Sequence, residues 1–219
     1  MHKVNSPVQM EPVVYKVNTS GIADVWLRKN QTELPEMEEG PGGFEADEIY
    51  FKTGNASKEE ILADFDFWWE HLSNVEEGQL INYLAVDYYR DAKRVEISKA
   101  CEQSIYNGVD VELSGGSEHF SLTEKDQLNL FGKQAQLATG ATRLEYHQDG
   151  MPCTYYSAVD MKAIIDTAMY YVSFQTTYCN SLFIWLNACT RASEMAEIAY
   201  GCEIPEEHQS TVLKDYINV

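Results

Sequence analysis

The chain has 219 residues, 44% hydrophobic and 12% aromatic, with a formal charge of −19. A chain of this size folded as one body buries roughly 70% of its unfolded surface, so disorder is confined to short stretches. No cluster of Lys and Arg is longer than "AKR", which argues against nucleic-acid partners and anionic membrane surfaces, both of which need a basic face.

The acidity is spread along the chain. Residues 1–78 carry 6 basic and 16 acidic residues, giving −10; residues 79–219 carry 10 and 19, giving −9. The five cysteines (Cys101, Cys153, Cys179, Cys189 and Cys202) form no CxxC pair. An odd count without closely spaced pairs fits thiols kept reduced as small buried hydrophobes, and it speaks against a structural zinc site. The segment "MHKVNSPVQMEPVVY" has no apolar core for export. The most apolar neighbourhood, "AMYYVSFQTTYCNSLFIWLNAC", is interrupted by Gln175, Thr176, Thr177, Asn180 and Asn187, too polar for a membrane span. The expectation is a soluble protein.

In chain order, "VVYKVNTSGIADVWLR" predicts two strands around a Ser-Gly turn, with Val25 and Leu27 on one face and Trp26 on the other. "KNQTELPEMEEGPGGFEADE" holds seven carboxylates between Glu33 and Glu48 and reads as a solvated loop without the alternating oxygen ligands of a Ca²⁺ site. "IYFKT" predicts a strand. Ser57, with Glu60 three residues on, makes a capping box that opens a helix over 57–72, with Ile61, Phe65, Trp68 and Leu72 at helical spacing. "SNVEEGQ" breaks the pattern and marks a domain boundary near residue 78.

A long helix is predicted from Ile81 to Tyr106, closed by Gly108 in the left-handed conformation. Val109, Val111 and Leu113 alternate, "SGGSE" turns, and Phe120 and Leu122 return as a hairpin. Thr123 then caps a helix with Asp126 at its third position. Its buried stripe is assigned to Leu128, Phe131, Ala135 and Ala138, and Gly140 ends it. "TRLEYHQDGMPCTYYS" is a second hairpin turning at Asp149-Gly150. Ser157 and Asp160 start a long helix over 158–190, apolar on two adjacent faces and therefore central. "TRASEMAEIAYG" forms a short helix ending at Gly201, and "PEEHQSTVLKDYINV" is assigned a peripheral place.

The residue types that could carry catalysis are His119, His147, Asp126, Asp149, Glu145 and Cys153. A Cys-His pair needs an activated thiolate, and nothing near Cys153 supplies one. Glu145 and Asp149 fit exposed strand and turn positions as well as an acid–base pair. No phosphate loop, GxGxxG, HExxH or GxSxG occurs. Caps and turns account for these side chains, so no catalytic, cofactor or metal residue is assigned.

Three stretches carry a resemblance: "HFSLTEKDQLNLFGKQAQLATGATRLEYHQDG", "YYSAVDMKAIIDTAMYYV" and "YCNSLFIWLNACT". Together they resemble a domain family, without a settled activity, in small proteins encoded in bacteriophage tail and baseplate gene modules. "GIADVWLRKN", "ADEIYF" and "FDFWWEHL" look like the part that precedes such domains in prophages of Gram-positive gut bacteria. The resemblance covers most of the chain. It implies a genetic neighbourhood of tail-fibre and baseplate genes, and no functional residue follows from it.

The sequence reading is therefore an α+β chain. A small β-rich N-terminal module with one helix (1–78) precedes a helix-hairpin-helix-hairpin-helix domain (79–219). With the resemblance, the expected function is that of a non-enzymatic structural component of a phage tail (baseplate or tail fibre), made in the host cytoplasm, needing no cofactor and present in several copies by tail symmetry. The alternative is a transient tail-fibre assembly chaperone. Val13, Tyr15, Trp26, Trp68 and Trp69 are the expected contacts with other tail proteins. The extended N-terminus, biased by Pro7 and Pro12, is expected to add a strand to a partner's sheet edge.

Overall fold

The computed structural model describes residues 1–36 and 42–218. It is a mixed α+β structure, with a four-stranded antiparallel sheet at the N-terminus and several helices. Contacts group the chain into two compact units. The first comprises Met1–Lys93 with Asn187–Ile198, and the second Arg94–Leu186 with Ala199–Val219.

In the first unit, strands β1 (His2–Ser6), β2 (Val13–Val17), β3 (Ala23–Leu34) and β4 (Gly43–Thr53) pair in the order β1-β4-β3-β2. Strand alternation sends Val13, Val25, Leu27, Ile49 and Phe51 to one face, each 1% exposed or less. They meet Ile61, Trp68 and Leu72 from the helices that follow, together with Ile81 and Leu84. The opposite face carries the cross-strand row Val14–Trp26–Tyr50.

This arrangement corrects four expectations. The extended N-terminus is already paired, since β1 lies antiparallel on β4 with Val4 opposite Ala46. The acidic run is not a loop on either flank: Lys29–Leu34 continue β3 and Gly43–Glu48 begin β4, while residues 37–41 lie outside the described residues. Its carboxylates tolerate a ladder because neighbouring strands bring the cations. Lys3 of β1 reaches Glu45 and Asp47, and Arg28 Nε donates to the buried Glu48 at 2.6 Å.

The capping box holds as predicted. Ser57 Oγ accepts from Glu60 N–H, and Glu60 accepts from Ser57 N–H. The helix is nevertheless two pieces, α1 (Lys58–Ala63) and α2 (Phe65–His71), broken at Asp64. The Asp64 carboxylate is buried and accepts from Ser193 N–H and Oγ–H, a partner 129 residues away. Finally, the long helix starts late. Residues 79–81 run beside β4, with Lys52 N–H donating to Gln79 O and Ile81 N–H to Lys52 O, so α3 spans Val86–Tyr106.

In the second unit, the end of α3 is followed by the hairpin β5 (Val109–Leu113) and β6 (Gly116–Phe120). Gly108 takes φ +81°, and a Cβ there would sit 2.0 Å from the Phe120 carbonyl oxygen, so glycine is required. Helix α4 (Glu124–Ala138), hairpin β7 (Arg143–Tyr146) and β8 (Thr154–Ser157), and helix α5 (Ala158–Ala188) follow. Their core gathers Val111, Phe120, Leu130, Leu144, Tyr156 and Ile165 among others. Ile165 and Leu182 of α5 are buried, as the two apolar faces predicted.

Two assignments in this unit are corrected. The buried side of α4 is Leu130 with the half-buried Leu137, whereas Leu128 is 70% and Phe131 67% exposed. Lys133, between Leu130 and Leu137 along the helix, has its stem covered and its ammonium 2.6 Å from Glu145. The C-terminal segment is also not peripheral throughout. After α6 (Ala192–Ala196), which belongs to the first unit, the chain forms α7 (Thr211–Ile217), whose Leu213 is fully buried. Ser210 caps α7 and hydrogen-bonds the buried Ser181 of α5.

Candidate functional site

The titratable candidates concentrate where β6 leads into α4 and meets the β7–β8 loop. Asp126 Oδ2 accepts from Thr123 N–H, from the Thr123 hydroxyl at 2.5 Å and from the Ser121 hydroxyl at 3.2 Å. Thr123 Oγ1 in return accepts from Asp126 N–H, completing a capping box. Asp149 Oδ1 accepts from Ser121 N–H at 3.0 Å, and Asp149 N–H donates to the His119 carbonyl at 3.1 Å. Each carboxylate serves backbone donors that the strand-to-helix turn would otherwise leave unpaired.

His119 stands on the outer face of β6, opposite the buried Phe120. Nδ1 lies 2.7 Å from Asp110 Oδ1, and Nε2 lies 2.7 Å from the Asn107 carbonyl and 3.9 Å from Asp149 Oδ2. Both ring nitrogens face acceptors, an arrangement that only the doubly protonated ring satisfies. The Asp110 hydrogen bond and then the Asn107 carbonyl raise its pKa above the ordinary histidine value. A general base needs an unprotonated nitrogen directed at substrate, and here both are committed to clasping the hairpin to the end of α3.

His147 stacks on Tyr146, with centroids 5.5 Å apart, and its Nδ1 lies 3.2 Å from the Gln148 carbonyl. Cys153 is exposed, and among the described residues no hydrogen bond joins it to His147. Glu145 pairs with Lys133, whose hydrogen bond holds the carboxyl below its usual range. Beneath this surface the Tyr156 hydroxyl donates to Glu118 at 2.5 Å, and burial first, then that carboxylate, pushes the phenol pKa far up. Among the described residues no three His, Cys, Asp or Glu side chains are grouped to hold a metal ion, and no helix is long and apolar enough to cross a membrane.

The expected contact residues are placed differently from one another. Val13, Trp68 and Trp69 are 1%, 2% and 8% exposed and belong to the core of the first unit, which removes them from a partner's reach in the folded chain. Tyr15 is half-buried and donates its hydroxyl to the Ala56 carbonyl. Trp26 is half-buried on the sheet's outer face, stacked on Tyr50 at 4.9 Å with Lys16 Nζ 5.5 Å from its ring centroid.

A different surface is conspicuous for its apolarity. Leu128 and Phe131 project from α4, and Met169 and Tyr170 of α5 are 50% and 52% exposed. Phe131 and Met169 line a cleft of about 230 Å³ between the two helices, floored by Leu130, Ala168 and Val172. The sequence carries two overlapping apolar stripes on α4, and the structure turns Leu130 and Leu137 inward and leaves Leu128 and Phe131 outward.

Comparison with known proteins returns no match: no family model, no curated protein and no solved structure is similar to this chain.

Proposed function

We propose that this chain is a non-enzymatic structural component of a bacteriophage tail, at the baseplate or tail fibre, that works by contact with other tail proteins. The observation that carries the contact reading is the apolar α4–α5 surface around Phe131 and Leu128. Soluble chains seldom leave a grouped set of large apolar side chains in water unless a partner covers it. The tail setting is carried by the resemblance of residues 119–150, 155–172 and 178–190. On this reading several copies assemble by tail symmetry without nucleic acid or membrane. His119, Asp126, Asp149 and Glu145 are structural, each engaged in a cap, a turn or an ion pair.

The same apolar cleft favours a second reading, a tail-fibre assembly chaperone that binds its client in the host cytoplasm and leaves. Mass spectrometry of purified particles beside the matching lysates separates the two. A tail component is present in particles in fixed ratio to known tail proteins. Presence in lysates with absence from particles selects the chaperone, and a chaperone also raises the yield of soluble fibre on co-expression without remaining in the finished trimer.

A further inference from the structure

Two of the five thiols share a site inside the second unit. Cys101 of α3 and Cys179 of α5 are 8% and 6% exposed. Cys101 Sγ lies 3.6 Å from the Gln175 carbonyl oxygen. In an α-helix that carbonyl accepts the N–H of residue 179, and the Cβ of residue 179 leans back towards the same turn. The Cys101 sulfur therefore sits beside the Cys179 side chain. Both cysteines line one open cavity of about 360 Å³, with Ser98, Glu102, Val172 and Thr176 on its walls. The Tyr200 hydroxyl, bonded to the Gln175 side chain, stands at the same point.

We infer that Cys101 and Cys179 form a redox-active dithiol, open to small oxidants through this cavity, that closes to a disulfide joining α3 to α5. The inference is independent of the tail reading. The first attack is assigned to the Cys101 sulfur. A hydrogen bond from Cys179 favours a thiolate on Cys101 and lowers its pKa, while the thiol of Cys179 is driven up by that same bond and by burial. The oxidant class we assign is a peroxide, small enough to enter the cavity and reach the buried sulfur. The Cys101 thiolate attacks one peroxide oxygen, the O–O bond breaks, and hydroxide leaves and takes up a proton as water, giving a sulfenic acid. The Cys179 sulfur then attacks the Cys101 sulfur, forming the S–S bond, breaking the S–O bond and releasing a second water. Two thiols lose two electrons and two protons, and one peroxide becomes two waters.

The test uses the full, reduced chain exposed to a small excess of hydrogen peroxide. The sample is then alkylated under denaturing conditions and digested without reduction. The expected result is a Cys101–Cys179 linked peptide in more than half of the monomeric chain, in the wild type and equally in Cys153→Ser. Recovery of Cys101 and Cys179 as separate alkylated thiols, whatever happens at Cys153, overturns the proposal. Phenylarsine oxide, which bridges two adjacent thiols, gives a second reading on unoxidised protein. One equivalent should bind the wild type, and binding should fall at least tenfold in Cys101→Ser and in Cys179→Ser. Unchanged binding in both variants also overturns it.

Discussion

His119 Nδ1 lies 2.7 Å from Asp110 Oδ1, and the two residues face each other across the β5–β6 hairpin in direct register. The acceptors around the ring, Asp110, the Asn107 carbonyl and Asp149, raise the folded-state pKa above the unfolded one. The stability this contributes is complete below the unfolded value, about 6.5, and is lost as pH rises through the folded value. The ring is 44% exposed, so solvent screening keeps the effect under about 1 kcal/mol. A proton NMR titration should give His119 a pKa above that of an unpaired histidine. In His119→Gln the loss of stability between pH 6 and 8 should shrink.

Gly108 closes α3 under the Phe120 carbonyl, with no room for a side chain. Gly108→Ala combines a left-handed backbone with a direct clash, and the expected cost is about 2 kcal/mol or more. Chemical denaturation measures it, and a change below about 0.5 kcal/mol would refute the close approach.

These local devices are the part of the fold that the sequence displays. The Ser57–Glu60 and Thr123–Asp126 boxes, the Gly108 and Gly140 helix ends and the Asp149-Gly150 turn each depend on residues within a few positions of one another. What depended on distant partners was not legible. The acidic start of β4 reads as a solvated loop because its balancing cations, Lys3 on β1 and Arg28 on β3, come from the neighbouring strands. The break at Asp64 answers to Ser193. On α4 two stripes of similar apolarity compete, and the choice of Leu130 over Leu128 and Phe131 is made by packing against β7 and α5 rather than by periodicity. The candidate site suffered most from this. Trp68 and Trp69 are core residues, and the exposed apolar surface lies on the Leu128–Phe131 face of α4.

Asp64 is buried, and its carboxylate depends on the N–H and hydroxyl of Ser193. Ser193→Ala removes the hydroxyl and leaves a buried oxygen under-bonded, at an expected cost of about 1–3 kcal/mol. The melting temperature should fall accordingly. An unchanged value would mean that solvent reaches Asp64.

Leu182 and Ile165 are 0% and 2% exposed in α5. Leu182→Asp or Ile165→Asp places an unpaired charge in the core, costing several kcal/mol. Neither variant should give soluble, cooperatively melting protein. A wild-type melting temperature for either would contradict the assignment of α5 as the central helix.

Phe131 and Leu128 are largely in solvent, so replacing both with Ser should leave stability within about 0.5 kcal/mol of the wild type. In the proposed function these two side chains meet another tail protein. The decisive measurement is quantitative mass spectrometry of purified particles carrying either the wild-type chain or the Leu128→Ser, Phe131→Ser double variant. The wild-type chain is expected in particles at a fixed ratio to other tail proteins, with incorporation of the folded double variant reduced at least tenfold. Absence of the wild-type chain from particles, or full incorporation of the double variant, would contradict it.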